Sequence, residues 1–89
     1  MLVRLMYASR ANAPMSDQEL SLILKQSRAH NPAEGITGLL CYTDGIFMQV
    51  LEGGRDAIYA RYKQILSDAR HHAVILLSYE EIGEREFAG

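Results

Sequence analysis

The chain has no tryptophan, one cysteine and two prolines in 89 residues. A lone cysteine cannot close an internal disulfide, so Cys41, set in an apolar stretch, reads as a buried structural thiol in a reducing compartment. No apolar run approaches the roughly 20 residues that span a bilayer. The opening Met-Leu-Val-Arg-Leu-Met-Tyr also lacks the form of a signal peptide, which together predicts a cytoplasmic chain. Nine Lys and Arg against eleven Asp and Glu leave a formal charge of −2, with no basic cluster. That balance gives no electrostatic footprint for nucleic acid or an anionic membrane. His30, His71 and His72 have no Cys or His at ligand spacing, so no metal motif is present, and adjacent His71-His72 suits a helix end. Nothing resembles a P-loop, a Rossmann glycine fingerprint or a nucleophile elbow. Gly35-x-x-Gly38 is too short and too common to mean phosphate binding, and no base adjoins Cys41 to activate it. Hydrolase and transferase readings therefore start weak, and the chain reads as a non-enzyme.

What is present is one small domain over residues 1–89, 48% hydrophobic and 22% charged. The stretch from Gly35 to Gly53 organises it. Two apolar runs, 36–43 and 46–52, flank Asp44-Gly45, the dipeptide that best tolerates the positive φ of a tight hairpin turn. Residues 2–8 alternate as a first strand, with Val3, Leu5 and Tyr7 on one face and Leu2, Arg4 and Met6 on the other. Residues 9–15 read as a loop containing Asn12 and Pro14. Ser16-Asp17-Gln18-Glu19 has the spacing of a capping box and opens a helix. Leu20, Ile23, Leu24 and Ser27 form its inner stripe, and Asn31-Pro32 is expected to end it. Gly53-Gly54 breaks the chain before a second helix over 55–70, striped by Ile58, Tyr62, Ile65, Leu66 and Ala69. A last strand follows at 73–79, and 80–89 is charged and expected to be loose.

The order β-α-β-β-α-β predicts an α+β ferredoxin-like sandwich, two helices on one face of a mainly antiparallel four-stranded sheet. In that arrangement the first and third strands are neighbours, so Tyr7 and Gln49 can lie side by side facing the helices. The opposite face would carry Leu2, Met6, Leu39, Cys41, Met48 and Val50, too apolar to face water comfortably. A second copy or segments beyond Gly89 are expected to cover it.

Chemistry-bearing groups reduce to Tyr7, Asn31, Tyr42 and Gln49. A tyrosine ring ordinarily fills a core with its hydroxyl at the rim, and an Asn before Pro is ordinarily a turn residue. Gln49 has no such ordinary explanation. An amide among Phe47, Met48, Val50 and Leu51 loses its water on folding and needs specific partners. A ligand edge bearing both donors and acceptors, such as that of a flat heteroaromatic ring, satisfies a Tyr, Asn and Gln together.

In these residues the chain resembles the BLUF domains, blue-light sensors that use flavin adenine dinucleotide. The matching features are Tyr7-x-Ser9, Ser27 with His30-Asn31, and Gly35-Ile36-Thr37-Gly38-Leu39-Leu40. They continue with Phe47-x-Gln49-x-Leu51-Glu52-Gly53, Asp68-x-Arg70-His71 and Arg85-x-Phe87, from Leu2 to Gly89 in all. The resemblance implies non-covalent flavin binding between the two helices, FAD first with FMN or riboflavin as alternatives. It makes Tyr7 the light-driven electron donor and Gln49 the amide that bonds the flavin ring and then rearranges. Asn31 would hold the pyrimidine edge, while Ile23, Leu40, Phe47 and Ile65 wall the ring. Arg70 would meet the phosphate or ribityl side and His71 the ring edge, with Ser27, His30 and Asp68 completing the binding set. The output would be a changed sheet surface that biases a downstream protein or effector domain, or a second copy in a homo-oligomer. Family members continue past Arg-x-Phe into a further strand and cap helices, so the resemblance also implies a piece cut before its fifth strand. Two rival readings stand beside it. One is a flavin-free ferredoxin-like module that dimerises through its apolar sheet face. The other is an acyl-phosphate hydrolase on the same scaffold, which needs an arginine in a phosphate-cradling loop; Arg10 sits among no glycines.

Overall fold

A computed structural model describes residues 1–87, with the side chains of 26–33 outside the described set. The elements run β1 (Leu2–Ala11), α1 (Asp17–Ala33), β2 (Thr37–Thr43), β3 (Ile46–Gly54), α2 (Arg55–Leu66) and β4 (His71–Ile82). The four strands form one antiparallel sheet in the order β2-β3-β1-β4, with two helices: the ferredoxin-like arrangement. At the hairpin tip Asp44 and Gly45 both take positive φ, 52° and 79°, as a turn that follows the twist of its strands requires. The capping box also forms, with the Glu19 N–H donating to Ser16 Oγ at 3.1 Å.

Register divides the sheet into two sets of side chains, because directly opposed residues share a face. On the helix side, rows run Leu40–Gln49–Tyr7–Leu76, Tyr42–Phe47–Ser9 and Gly38–Leu51–Leu5–Tyr79. Val3, Leu5, Tyr7, Ile36, Leu51 and Ile58 form the buried core there, with Ala57, Tyr62, Ile65 and Val74 packed against it. Ile58 is the fully buried anchor of α2. On the other side, rows run Cys41–Met48–Ala8–Ile75, Leu39–Val50–Met6–Ser78 and Thr37–Glu52–Arg4–Glu80. The first two rows leave Leu39, Met48 and Ile75 about half exposed. Cys41 belongs to this uncovered face and is exposed, not buried as its apolar neighbours suggested.

Several boundaries differ from the sequence expectation. Residues 9–11 continue β1 instead of looping, because they find partners on both sides: Phe47 and Ile46 on β3, His72 and His71 on β4. Helix α1 runs two residues past Asn31, to Ala33. A proline ring fixes φ near the helical value, and the one hydrogen bond it removes is a loss that a last turn tolerates. Helix α2 stops at Leu66, where the Ser67 hydroxyl and amide both bond the Gln64 carbonyl, so Ala69 and Arg70 lie in the following turn. Strand β3 passes through Gly53 without a break. A Cβ there would stand 3.1 Å from the Gly35 carbonyl oxygen and 3.4 Å from Ile58, so the glycine lets three segments approach closely. Strand β4 extends to Ile82, and residues 85–87 are tied to the sheet rather than loose. No helix among the described residues is long and apolar enough to cross a membrane.

Candidate functional site

Antiparallel pairing of β1 with β3 sets Tyr7 directly opposite Gln49 on the helix side. Both are buried, Tyr7 at 4% and Gln49 at 8% exposure. The Tyr7 hydroxyl donates to Gln49 Oε1 at 2.6 Å. That bond satisfies one end of the amide only. Among the described residues the Gln49 Nε2 amino group makes no hydrogen bond. Burial, the Asp68 carboxylate and Tyr62 push the Tyr7 phenol well above its ordinary range, so its proton stays on the oxygen.

Rings frame the pair. Tyr62 of α2 lies 6.1 Å from the Tyr7 ring centroid and His71 6.3 Å, the latter edge-on. Phe47, one row along the sheet, packs 4.9 Å from Tyr42 and 6.3 Å from His71. His71 opens β4 and is held at both nitrogens: Nε2 meets the Ile65 carbonyl at 2.6 Å, and Nδ1 meets Ser9 Oγ at 2.6 Å. A carbonyl only accepts, so Nε2 carries the proton and, in the neutral ring, Nδ1 accepts from the serine. The ring of His71, not a free nitrogen, is what it offers a ligand. Asp68 grips Arg70 with both oxygens, at 2.6 Å to Nη2 and 3.0 Å to Nε, and accepts the Arg70 backbone N–H at 2.9 Å. The guanidinium holds the Asp68 carboxyl below the usual carboxylate range, against the opposing effect of its partial burial.

The apolar residues expected around a ring fall beside this pair in differing degrees. Leu40 opposes Gln49 directly across the hairpin. Phe47 is buried, whereas Ile23, Leu40 and Ile65 are half-buried. The inner stripe of α1 is thus not closed against the sheet, and partly exposed apolar side chains border the buried Tyr7–Gln49 pair. Ser27, His30 and Asn31 lie on α1 outside the described side chains. The set fits the edge of a flat, acceptor-bearing ring: Gln49 Nε2 donors that no described residue accepts from, apolar residues beside them, and the Asp68-held guanidinium of Arg70 in the turn after α2. Sequence reasoning did not see the Ser9–His71 bond or the burial of Glu52, which has no solvent exposure.

The model of the BLUF family, described as sensors of blue light using FAD, matches residues 2–89. The photoactivated adenylate cyclase subunit beta of Euglena longa is 40% identical over 86 residues, which are 97% of this chain and 10% of that protein. A solved bacterial light-regulated adenylyl cyclase superposes with a TM-score of 0.95 at 39% identity, covering 98% of this chain and 25% of that one. The BLUF protein BlrB in its dark state superposes with a TM-score of 0.91 at 35% identity, covering 97% of this chain and 65% of that one. The chain thus spans a tenth of the curated cyclase subunit that it matches. Over the length matched, family model, sequence relative and fold agree, and the chain belongs to the BLUF family of blue-light sensors that use FAD.

Proposed function

We propose that residues 1–89 form a flavin-binding blue-light receptor domain whose photochemical pair is Tyr7 and Gln49. The observation that carries this is the buried Tyr7–Gln49 hydrogen bond: Gln49 Oε1 accepts from the tyrosine hydroxyl, and no described residue accepts from its Nε2. A flavin bound there, FAD by family with FMN or riboflavin as alternatives, supplies blue-light absorption and an excited state that draws an electron. Gln49 Nε2 would bond the ring, Asn31 the pyrimidine edge, and Ile23, Leu40, Phe47 and Ile65 its faces. Arg70 would serve the phosphate or ribityl side, with His71 at the ring edge and Ser27, His30 and Asp68 completing the set. Tyr7 would be the electron donor, and its Oη proton has a short path to Gln49 Oε1. Taking up that proton at Oε1 while releasing one from Nε2 toward the ring, or rotating about its side-chain axis, would turn the amide from acceptor to donor at one edge. The surrounding apolar groups keep water from competing for either group, so a small change in dipole carries more weight.

The partners proposed are a downstream effector domain or protein, in keeping with the cyclases among its relatives, and a second copy of the chain. The domain itself would sense and not catalyse. A second reading, a flavin-free module that dimerises through its sheet, draws on the exposed Leu39, Met48 and Ile75. Absorption spectra of the purified chain, in the dark and just after blue light, separate the two. A structured flavin band that moves red and recovers in darkness supports the receptor. A chain that binds no flavin on reconstitution supports the module.

A further inference from the structure

Glu52 follows Gln49 by three residues on β3 but points to the opposite face of the sheet, where its carboxylate has no solvent exposure. A charge so placed persists only with full pairing. Its oxygens accept the backbone N–H of Phe87 at 2.8 Å and of Glu86 at 3.0 and 3.2 Å. Arg4 Nε, from the directly opposed position on β1, donates to it at 2.8 Å. Arg85 closes the arrangement from the other side. Its Nη1 donates to Thr37 Oγ1 at 2.8 Å and to the Glu52 carbonyl at 2.9 Å, and its Nη2 to the Gly35 carbonyl at 2.7 Å. Arg4 further reaches Glu80 at 3.1 Å and Glu86 at 3.5 Å. One buried anion and two guanidiniums therefore bind the segment after β4 to β1, to β3 and to the start of β2.

We infer that Glu52 is a latch that holds residues 85–87 on the sheet, and that its release carries a rearrangement at Gln49 to that segment. The trigger rests on the photoreceptor reading; the latch itself rests on the geometry alone. Its two arrangements are concrete. Latched, the carboxylate receives the amides of Glu86 and Phe87; released, both amides and the carboxylate turn to water. Glu52 sits about 10 Å along the strand from Gln49 at the usual rise per residue. Between them β3 is hydrogen-bonded on both sides, so a shift of the backbone at Gln49 alters the distances that Glu52 must satisfy.

Hydrogen exchange at the amides of Glu86 and Phe87, in the flavin-loaded chain, tests both halves. In darkness Glu52→Gln removes the charge and keeps the volume, and both amides should exchange about tenfold faster or more, while the amides of β1 hold to within about twofold. Arg85→Ala opens the latch from its other side and should act in the same direction, which covers the case in which the first variant does not fold. Unchanged exchange at both amides in either folded variant overturns the latch. Under illumination the unsubstituted chain should show the same acceleration while its flavin band is shifted. A red shift with both amides still protected overturns the output role. A flavin band that never shifts removes the trigger along with the photoreceptor reading, and the comparison in darkness still decides the latch.

Discussion

The Tyr7 hydroxyl and the Gln49 side-chain oxygen, 42 residues apart in sequence, stand 2.6 Å apart in a buried position between neighbouring strands. Neither side chain makes another hydrogen bond among the described residues. Tyr7→Phe keeps the ring in the core and deletes only the hydroxyl. The domain should stay folded, losing about 1 kcal/mol. Its bound flavin should fluoresce brightly and for longer, because the donor is gone. Time-resolved fluorescence checks this: decay as fast as in the unsubstituted chain excludes Tyr7 as the donor.

Gly38 is required by contact rather than by a turn. A Cβ built at this position lies 1.9 Å from the Val50 carbonyl oxygen, and backbone cannot swing aside as a long side chain can. Gly38→Ala must therefore part β2 from β3, at a cost on the order of 2–4 kcal/mol. Thermal unfolding should show a midpoint lower by more than 5 °C, given the roughly 4–8 °C per kcal/mol typical of small domains. A midpoint within about a degree of the unsubstituted chain counts against the register described.

Acid should weaken the fold through Glu52. Burial alone raises its pKa, but the N–H groups of Phe87 and Glu86 and the Arg4 guanidinium outweigh that, and the carboxyl sits below its usual range. A carboxylate depressed in the folded state adds stability that is complete above the unfolded value of about 4.3 and is lost as pH falls through the folded value. Asp68, held low by Arg70, has the same sign. The charges facing Glu52 are Arg4, Arg85, Glu80 and Glu86. Denaturant unfolding from pH 7 to pH 3 should show falling stability, with a shallower fall in Glu52→Gln. Parallel curves for the two proteins contradict this assignment.

Much of this was legible in the chain. The Asp44-Gly45 turn, the capping box and the alternation of Val3, Leu5 and Tyr7 are local signals, and each produced the element it announced. Gln49 was legible by contradiction, as a polar residue with no reason to sit among Phe47, Met48, Val50 and Leu51. What escaped depends on distant pairing. Residues 9–11 look like a loop until His71, His72 and Ile46 are beside them. Cys41 looks buried until the pleat puts it on the face without helices. Glu52 was within reach: once Tyr7 is set opposite Gln49 in an antiparallel pair, Arg4 must stand opposite Glu52. The clamp from Arg85 was not, since it joins an irregular segment to backbone carbonyls of Gly35 and Glu52, which carry no side-chain signal.

The most direct measurement is the light-minus-dark absorption spectrum of Gln49→Leu beside that of the unsubstituted chain, both reconstituted with FAD. Leucine fills similar space and can neither accept from Tyr7 nor donate to a ring. The variant should retain flavin and show no red shift, while the unsubstituted chain shows a shift that recovers in darkness. An equal shift in both proteins would remove Gln49 from the photochemical site and contradict the central assignment.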